Sequence, residues 1–137
     1  MPHRALIDTS ALLALANPRD QYHARAVEIG RRFLRTGGRW LGSALVPGEL
    51  HAHLLRWRGP RDARELAKQV LFDPAYEWKE VSASLLDAAI SGWLERLHDQ
   101  RFSLTDAVSF ELMRRERLTT AFAFDEDFRT AGYTLLA

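Results

Sequence analysis

A chain that passes several times from a very short apolar run straight into a helix has few folds open to it. Arg4-Ala-Leu-Ile7, apolar after its first residue, ends in Asp8-Thr9-Ser10, and Ala11 to Ala16 follows with helical character until Asn17-Pro18 stops it. So short a run reads as a buried strand, and the Asp-Thr-Ser behind it as a helix start. Asp20 is then placed to cap a helix over Gln21–Thr36, with an inward stripe of Ala26, Ile29, Phe33 and Leu34 and a stop at Gly37-Gly38. Trp40-Leu41 is a second strand, and Ser43 caps a helix through Leu50, Leu54 and Leu55, with Pro47 and Gly48 weakening its first turns. Beyond the break at Gly59-Pro60 come a helix over Arg61–Leu71, a strand over Tyr76–Val81 and a long helix from the Ser82 cap to about Asp99. A helix from Asp106 to Glu116, a strand over Thr119–Phe124, a helical turn over Asp125–Thr130 and a strand over Tyr133–Leu136 follow.

Strands alternating with helices indicate a three-layer α/β/α fold around a central, mainly parallel sheet of about five strands. Right-handed crossovers then set every strand-to-helix junction on one edge of the sheet, and ligands of such folds bind in the crevice beyond that edge. No repeat, low-complexity tract or Pro/Gly/Ser linker interrupts the 137 residues, so residues 1–137 read as one domain.

Acidic residues stand at these junctions. In Phe102-Ser-Leu-Thr-Asp-Ala-Val-Ser-Phe-Glu-Leu-Met113, Thr105 is placed to cap a helix whose first turn holds Asp106 and whose apolar residues, Ala107, Val108, Phe110, Leu112 and Met113, are to be buried. Asp106 has an ordinary explanation, because free N–H groups and the dipole at a helix N-terminus favour negative charge. Its company argues for more. Asp8 and Asp125 each directly follow a strand, and Glu49 lies in the first turns of its helix. Four carboxylates from four distant segments would converge on one crevice.

Gathering like charges in a partly dry crevice is unfavourable unless something cancels them. A hard divalent cation does so, and carboxylate oxygens in a chain without cysteine select Mg²⁺ or Mn²⁺ over softer metals. One or two such ions polarise a phosphodiester and activate water against it, so the implied reaction is hydrolysis of a phosphate ester, most naturally in a nucleic acid. Thr9, Ser10 and Thr105 would be the donors that hold the carboxylates in place. Arginine supplies 17 of the 19 basic residues, which suits phosphate oxygens, although a GC-rich coding sequence gives the same bias. With 47% apolar and 27% charged residues the chain is globular, and no run approaches the ~20 apolar residues of a membrane span. The start is too short and too soon charged for a signal peptide, and the absence of cysteine excludes disulfides. A cytoplasmic protein with no membrane partner is expected.

Ile7-Asp8-Thr9-Ser10-Ala11-Leu12-Leu13, Glu49 within a helix, Leu104-Thr105-Asp106-Ala107 and Phe124-Asp125-Glu126-Asp127-Phe128 together resemble the PIN-domain ribonucleases, in order and at the right length. The toxin subunits of bacterial toxin–antitoxin pairs are the most similar members. The resemblance implies Mg²⁺-dependent endoribonuclease activity with Asp8, Glu49, Asp106 and Asp125 as the acidic site. It also implies a homodimer and a small inhibitory antitoxin. In Asp125-Glu126-Asp127 the residue directly behind the strand, Asp125, is the preferred fourth ligand; Asp127 either shares the task or caps the short helix. Pro47-Gly48, where the family carries helix formers, leaves the aim of Glu49 open.

Other residues invite competing readings. His51 and His53 are two apart and point in different directions on a helix, which argues against a metal pair. Trp57 amid Arg56, Arg58 and Arg61 would stack on an RNA base beside a phosphate-binding patch, or else serve packing or a dimer contact. Arg114, Arg115 and Arg117 read as a solvated helix face. An aspartate-based phosphatase of the haloacid type would want Asp-x-Asp after the first strand, where position 10 is Ser, and a receiver domain would want a late lysine that neither Lys68 nor Lys79 provides. A PIN-like RNA-binding module without strong catalysis is the non-enzymatic alternative, and the intact acidic set argues against it.

Overall fold

The computed structural model describes residues 3–137; Met1 and Pro2, which open the leader-free start expected above, lie outside the described residues. Five strands, β1 (Arg4–Ile7), β2 (Arg39–Ser43), β3 (Tyr76–Lys79), β4 (Thr120–Phe122) and β5 (Thr134–Leu135), form one sheet in the order β3-β2-β1-β4-β5. Every pairing is parallel, with Leu6 opposite Leu41 on one side and Ala121 on the other. Seven α-helices connect them: α1 (Thr9–Ala16), α2 (His23–Arg35), α3 (Leu45–Arg58), α4 (Pro60–Phe72), α5 (Ala83–Ala89), α6 (Leu104–Glu116) and α7 (Asp127–Thr130).

The period-two geometry of a strand divides its side chains between two cores. Ala5 and Ile7 join Trp40, Phe122, Phe33, Leu50 and Leu54 under α1 to α4, whereas Leu6 joins Leu41, Val108, Phe110, Met113 and Phe128 under α5 to α7. With both faces covered, β1 reads as an unbroken apolar run, which is why so short a segment was recognisable. Gly59, at φ 89°, turns α3 into α4 in a conformation that suits glycine, and Pro60 opens α4 where a missing N–H is harmless.

Two local expectations are corrected and a third is extended. The helix behind Ser82 is regular only to Ala89 and continues as a π-helical turn over Ile90–Glu95. That widened turn carries Trp93, whose indole N–H donates to Glu111 Oε1 at 3.2 Å. Thr105 is not the cap of α6: Ser103 is, through a reciprocal capping box with Asp106. Arg114 and Arg115 are exposed, as expected of a solvated helix face, but they also hold a buried acid. Both close on Glu111, which is only 3% exposed, with bonds of 2.7–3.0 Å.

Candidate active site

The parallel order sets Asp8 at the carboxyl end of the central strand. Its backbone N–H donates to Phe122 O of β4, and its side chain caps α1. Ser10 holds that carboxylate twice, by its N–H at 3.2 Å and its hydroxyl at 2.6 Å, both on Oδ2. The same hydroxyl accepts from Phe124 N–H at 3.1 Å, which ties the loop behind β4 to the end of β1. The helices preceding parallel strands run back across the sheet, so α6 starts at this edge, and Asp106 lies in its first turn.

Asp106, Asp125 and Asp127 each offer an oxygen within 4.8 Å of the others. Both acids of the Asp125-Glu-Asp127 motif therefore join the group. Asp125 Oδ1 accepts from Asp127 N–H at 2.8 Å, a local turn that folds the two residues onto one side. Asp8 and Glu49 stand outside this closest group. Asp8 is near enough for the charges of Asp106 and Asp125 to act on it. Glu49 reaches the edge through Thr9, whose hydroxyl donates to its Oε1 at 2.7 Å, so Pro47 and Gly48 leave α3 intact and Glu49 aimed at the crevice.

A common pattern governs the aspartates. In each of Asp8, Asp106 and Asp125 one oxygen accepts a backbone N–H, from Ser10, Ser103 and Asp127 respectively, while the other accepts no hydrogen bond among the described residues. The carboxylates are thus oriented from behind and open in front. Burial is the main cause that raises the Asp8 pKa to about 6, opposed by the Ser10 hydroxyl and reinforced by Asp106 and Asp125. Burial also raises Asp106, against the Ser103 bonds and with the help of Asp125 and Asp127. Asp127 is raised by burial and by Asp125.

The donor set fits a hard cation. Oxygens around one octahedral Mg²⁺ at about 2.1 Å stand roughly 3–4 Å apart, so the three aspartates need only small side-chain rotations to share an ion. Thr105 makes no side-chain hydrogen bond among the described residues, in contrast to Thr9 and Ser10. Arg58 and Arg61 turn to Asp62 at 3.1 and 3.7 Å. Arg56 and Arg58 sit near the far end of α3, about 10–14 Å along its axis from Glu49 at 1.5 Å per residue, and Arg61 stands in the first turn of α4 beyond Gly59. The basic patch suggested around Trp57 therefore lies at the α3–α4 turn and outside the aspartate group. Sequence reasoning missed Glu111 and the Ser103 cap; the Ser103-x-x-Asp106 spacing carried a capping-box signal for the latter.

A fully parallel α/β/α sheet with its acids gathered on the carboxyl edge defines a class. The PIN domain family matches residues 5–132, and this chain belongs to it. Membership sets aside the phosphatase and receiver readings. Among relatives, the 23S rRNA-specific endonuclease VapC20 of Mycobacterium tuberculosis is 33% identical over 127 residues, 93% of each chain. The crystal structure of VapC20, described as a sarcin-ricin loop cleaving toxin, matches with a TM-score of 0.82 at 32% identity, over 95% of this chain and 96% of that one. FitAcB from Neisseria gonorrhoeae shares the fold at 15% identity and a TM-score of 0.68, over 97% of this chain and 96% of that one. VapBC2 from Rickettsia felis does so at 14% and 0.67, over 96% of each chain.

Proposed function

We propose that this chain is a metal-dependent endoribonuclease, the toxin of a toxin–antitoxin pair, with Asp8, Glu49, Asp106 and Asp125 as its acidic site and Asp127 as a further ligand. The observation that carries the reading is the group of three aspartate oxygens within 4.8 Å, open toward the crevice. Full-length similarity to a ribosomal-RNA endonuclease supports ribosomal RNA as the substrate class. Mg²⁺ or Mn²⁺ would be held by Asp106, Asp125 and Asp127 with Asp8 beside them. A cation there supplies charge neutralisation of the phosphate and a lower pKa for water.

The chain's own groups do the rest. Ser10 keeps Asp8 ionisable by opposing its burial and fixes which oxygen faces the crevice. The Ser103 box does the same for Asp106. Thr9 holds Glu49 at the edge of the crevice, where its carboxylate would orient a water or accept its proton. The domain acts as a homodimer restrained by a small antitoxin in the cytoplasm, a partner suggested by the relative's description as a toxin. No described helix is long and apolar enough to cross a membrane.

The test is cleavage of an RNA carrying the sarcin–ricin loop of 23S rRNA by purified, antitoxin-free protein. Cleavage is expected with Mg²⁺ or Mn²⁺, none in EDTA, and none by Asp106→Asn. Unchanged cleavage in chelator, or by Asp106→Asn, overturns the mechanism.

A further inference from the structure

The carboxyl edge carries a second feature that the acidic set does not use. Beside it lies a cavity of about 190 Å³ walled by Tyr22, just before α2, and Arg25 within it, by Phe124, Glu126 and Arg129, and by residues 135–137. Wall and acidic group alternate along one loop: Phe124 and Glu126 line the cavity, whereas Asp125 and Asp127 belong to the aspartate group. Each aspartate of the loop thus adjoins, along the chain, a residue of the cavity wall.

The cavity has an aromatic face of unusual construction. Tyr22 lies flat on Phe124, with centroids 4.7 Å apart and planes 7° from parallel. Phe124 meets Phe122 edge-on at 5.8 Å, Phe122 stacks on Trp40 at 4.9 Å, and Trp40 stacks on Phe33 at 4.3 Å. This ladder runs from the core to the surface, and its outermost ring, Tyr22, remains 37% exposed. A ring pinned from beneath and open above is a platform on which a nucleobase stacks without regard to its identity.

Two cations flank the platform. Arg25 is exposed and makes no ion pair among the described residues. Arg129 pairs with Glu126 at 2.9 Å, an exposed bridge that is cheap to break. Resting on the nuclease reading above, we propose that this cavity is an RNA subsite that receives the nucleotide adjoining the scissile phosphate, its base on Tyr22 and its phosphate between Arg25 and Arg129. Glu126 restrains the site, because its carboxylate occupies Arg129 and repels phosphate. An acidic peptide would find the arginines but has no use for the flat open ring, so RNA is the ligand the geometry favours.

The test is binding of a labelled sarcin–ricin-loop oligoribonucleotide to the whole protein in EDTA, read by fluorescence anisotropy over a salt series, with melting curves for every variant. Tyr22→Ala should weaken Kd roughly 5- to 150-fold, the range of one base–aromatic stack, and Tyr22→Phe should restore it. Arg25→Gln should weaken binding and flatten the salt dependence by about 0.7, as expected for one lost phosphate contact on a single strand. Glu126→Gln should tighten it. If Tyr22→Ala unfolds, the Arg25 and Glu126 variants decide. Unchanged Kd and salt slope in those two, in proteins that melt like wild type and a wild type that cleaves RNA, overturn the subsite alone. Variants that keep RNA binding but lose a poly-glutamate peptide overturn it in favour of a peptide site. A wild type that neither binds nor cleaves the RNA overturns the nuclease reading and the subsite with it.

Discussion

Replacing Asp8 by Asn removes a charge from the most enclosed carboxylate of the crevice, and the consequence has a definite sign. Asp8 is 5% exposed. Its pKa rises from the ordinary 3.8 to about 6, mainly through burial. A folded pKa above the unfolded one means the native state gives up the proton reluctantly, so ionisation destabilises the fold. The penalty is absent below 3.8, grows between 3.8 and about 6, and is complete above that. At 1.36 kcal/mol per unit a shift of this size amounts to about 3 kcal/mol. Asn keeps the shape: one carbonyl oxygen can take both Ser10 bonds, at 3.2 and 2.6 Å, that now fall on Oδ2, and Asn caps helices as well as Asp does. Metal-free Asp8→Asn should therefore be about 2–3 kcal/mol more stable than wild type at neutral pH by urea denaturation in EDTA. The gain should vanish as the pH approaches 3.8, and the variant should have lost cleavage. Mg²⁺ should stabilise wild type more than the variant, which keeps Asp106, Asp125 and Asp127 but lacks the fourth charge. Equal urea midpoints at neutral pH, or a gain that persists in acid, would refute the argument that charge burial at this edge is costly and relieved by metal.

Three further outcomes are expected. Ser10→Ala strands the Phe124 N–H and withdraws a donor from Asp8; it should cost about 1–3 kcal/mol in urea midpoint analysis and move the pH midpoint of Mn²⁺ affinity upward, measured by calorimetry. Glu111 is held down to about pKa 2, chiefly by Arg114, so its stabilisation is in place above the ordinary 4.5 and fades as pH falls toward 2. Glu111→Gln should destabilise by about 1.5–3 kcal/mol at neutral pH, the worth of charge-assisted hydrogen bonds, with a wild-type-like urea midpoint as the refuting result. Leu55 and Trp57 of α3 remain 42% and 46% exposed, and Leu71 and Phe72 of α4 also face solvent, so light scattering should give a dimer; a 15.7 kDa monomer at micromolar concentration would contradict it.

How far the site could be read from sequence depends on how local each cause is. Asp8 and Asp125 stand behind strands that are short and buried on both faces, a pattern visible in Ala5-Leu6-Ile7 and Ala121-Phe122 themselves. Glu49 was legible in position but not in aim, because its direction rests on Thr9, which is brought beside it by the packing of α1 on α3. Ser103 and Thr105 are chemically equivalent caps in sequence; the choice falls to Ser103 because Phe102, 8% exposed, is packed edge-on to Phe110 and fixes where the chain turns into α6. Which leucines of α1 and α3 are free for a partner is not visible in the sequence, since Leu12 and Leu54 are buried in the core while Leu55 and Trp57 are exposed. Glu111 escaped notice because two neighbouring arginines on a helix usually mean solvent. Its signal was the company of Phe110 and Leu112, which left a carboxylate in the middle of a buried face. The π-helical turn at Ile90–Glu95 answers to a partner on another helix, Glu111, and no local pattern announces it.

The central position of β1 has a consequence for when the molecule becomes active during its own synthesis. β1 pairs with β4, and the Ser10–Phe124 bond that aligns Asp8 with the Asp125 loop joins residues 114 apart. Closing a loop of that length costs about 4 kcal/mol in chain entropy on the logarithmic law, and non-local parallel pairings form slowly. A nascent chain can complete β1, α1, β2 and β3 and still hold Asp8 and Glu49 without their counterparts. Only when β4 has left the ribosome can it slide in beside β1 and bring Asp125 and Asp127 to the edge. The order of strands thus leaves the acidic edge incomplete until β4 and the loop behind it have been made, so Asp8 and Glu49 meet Asp125 and Asp127 late in folding.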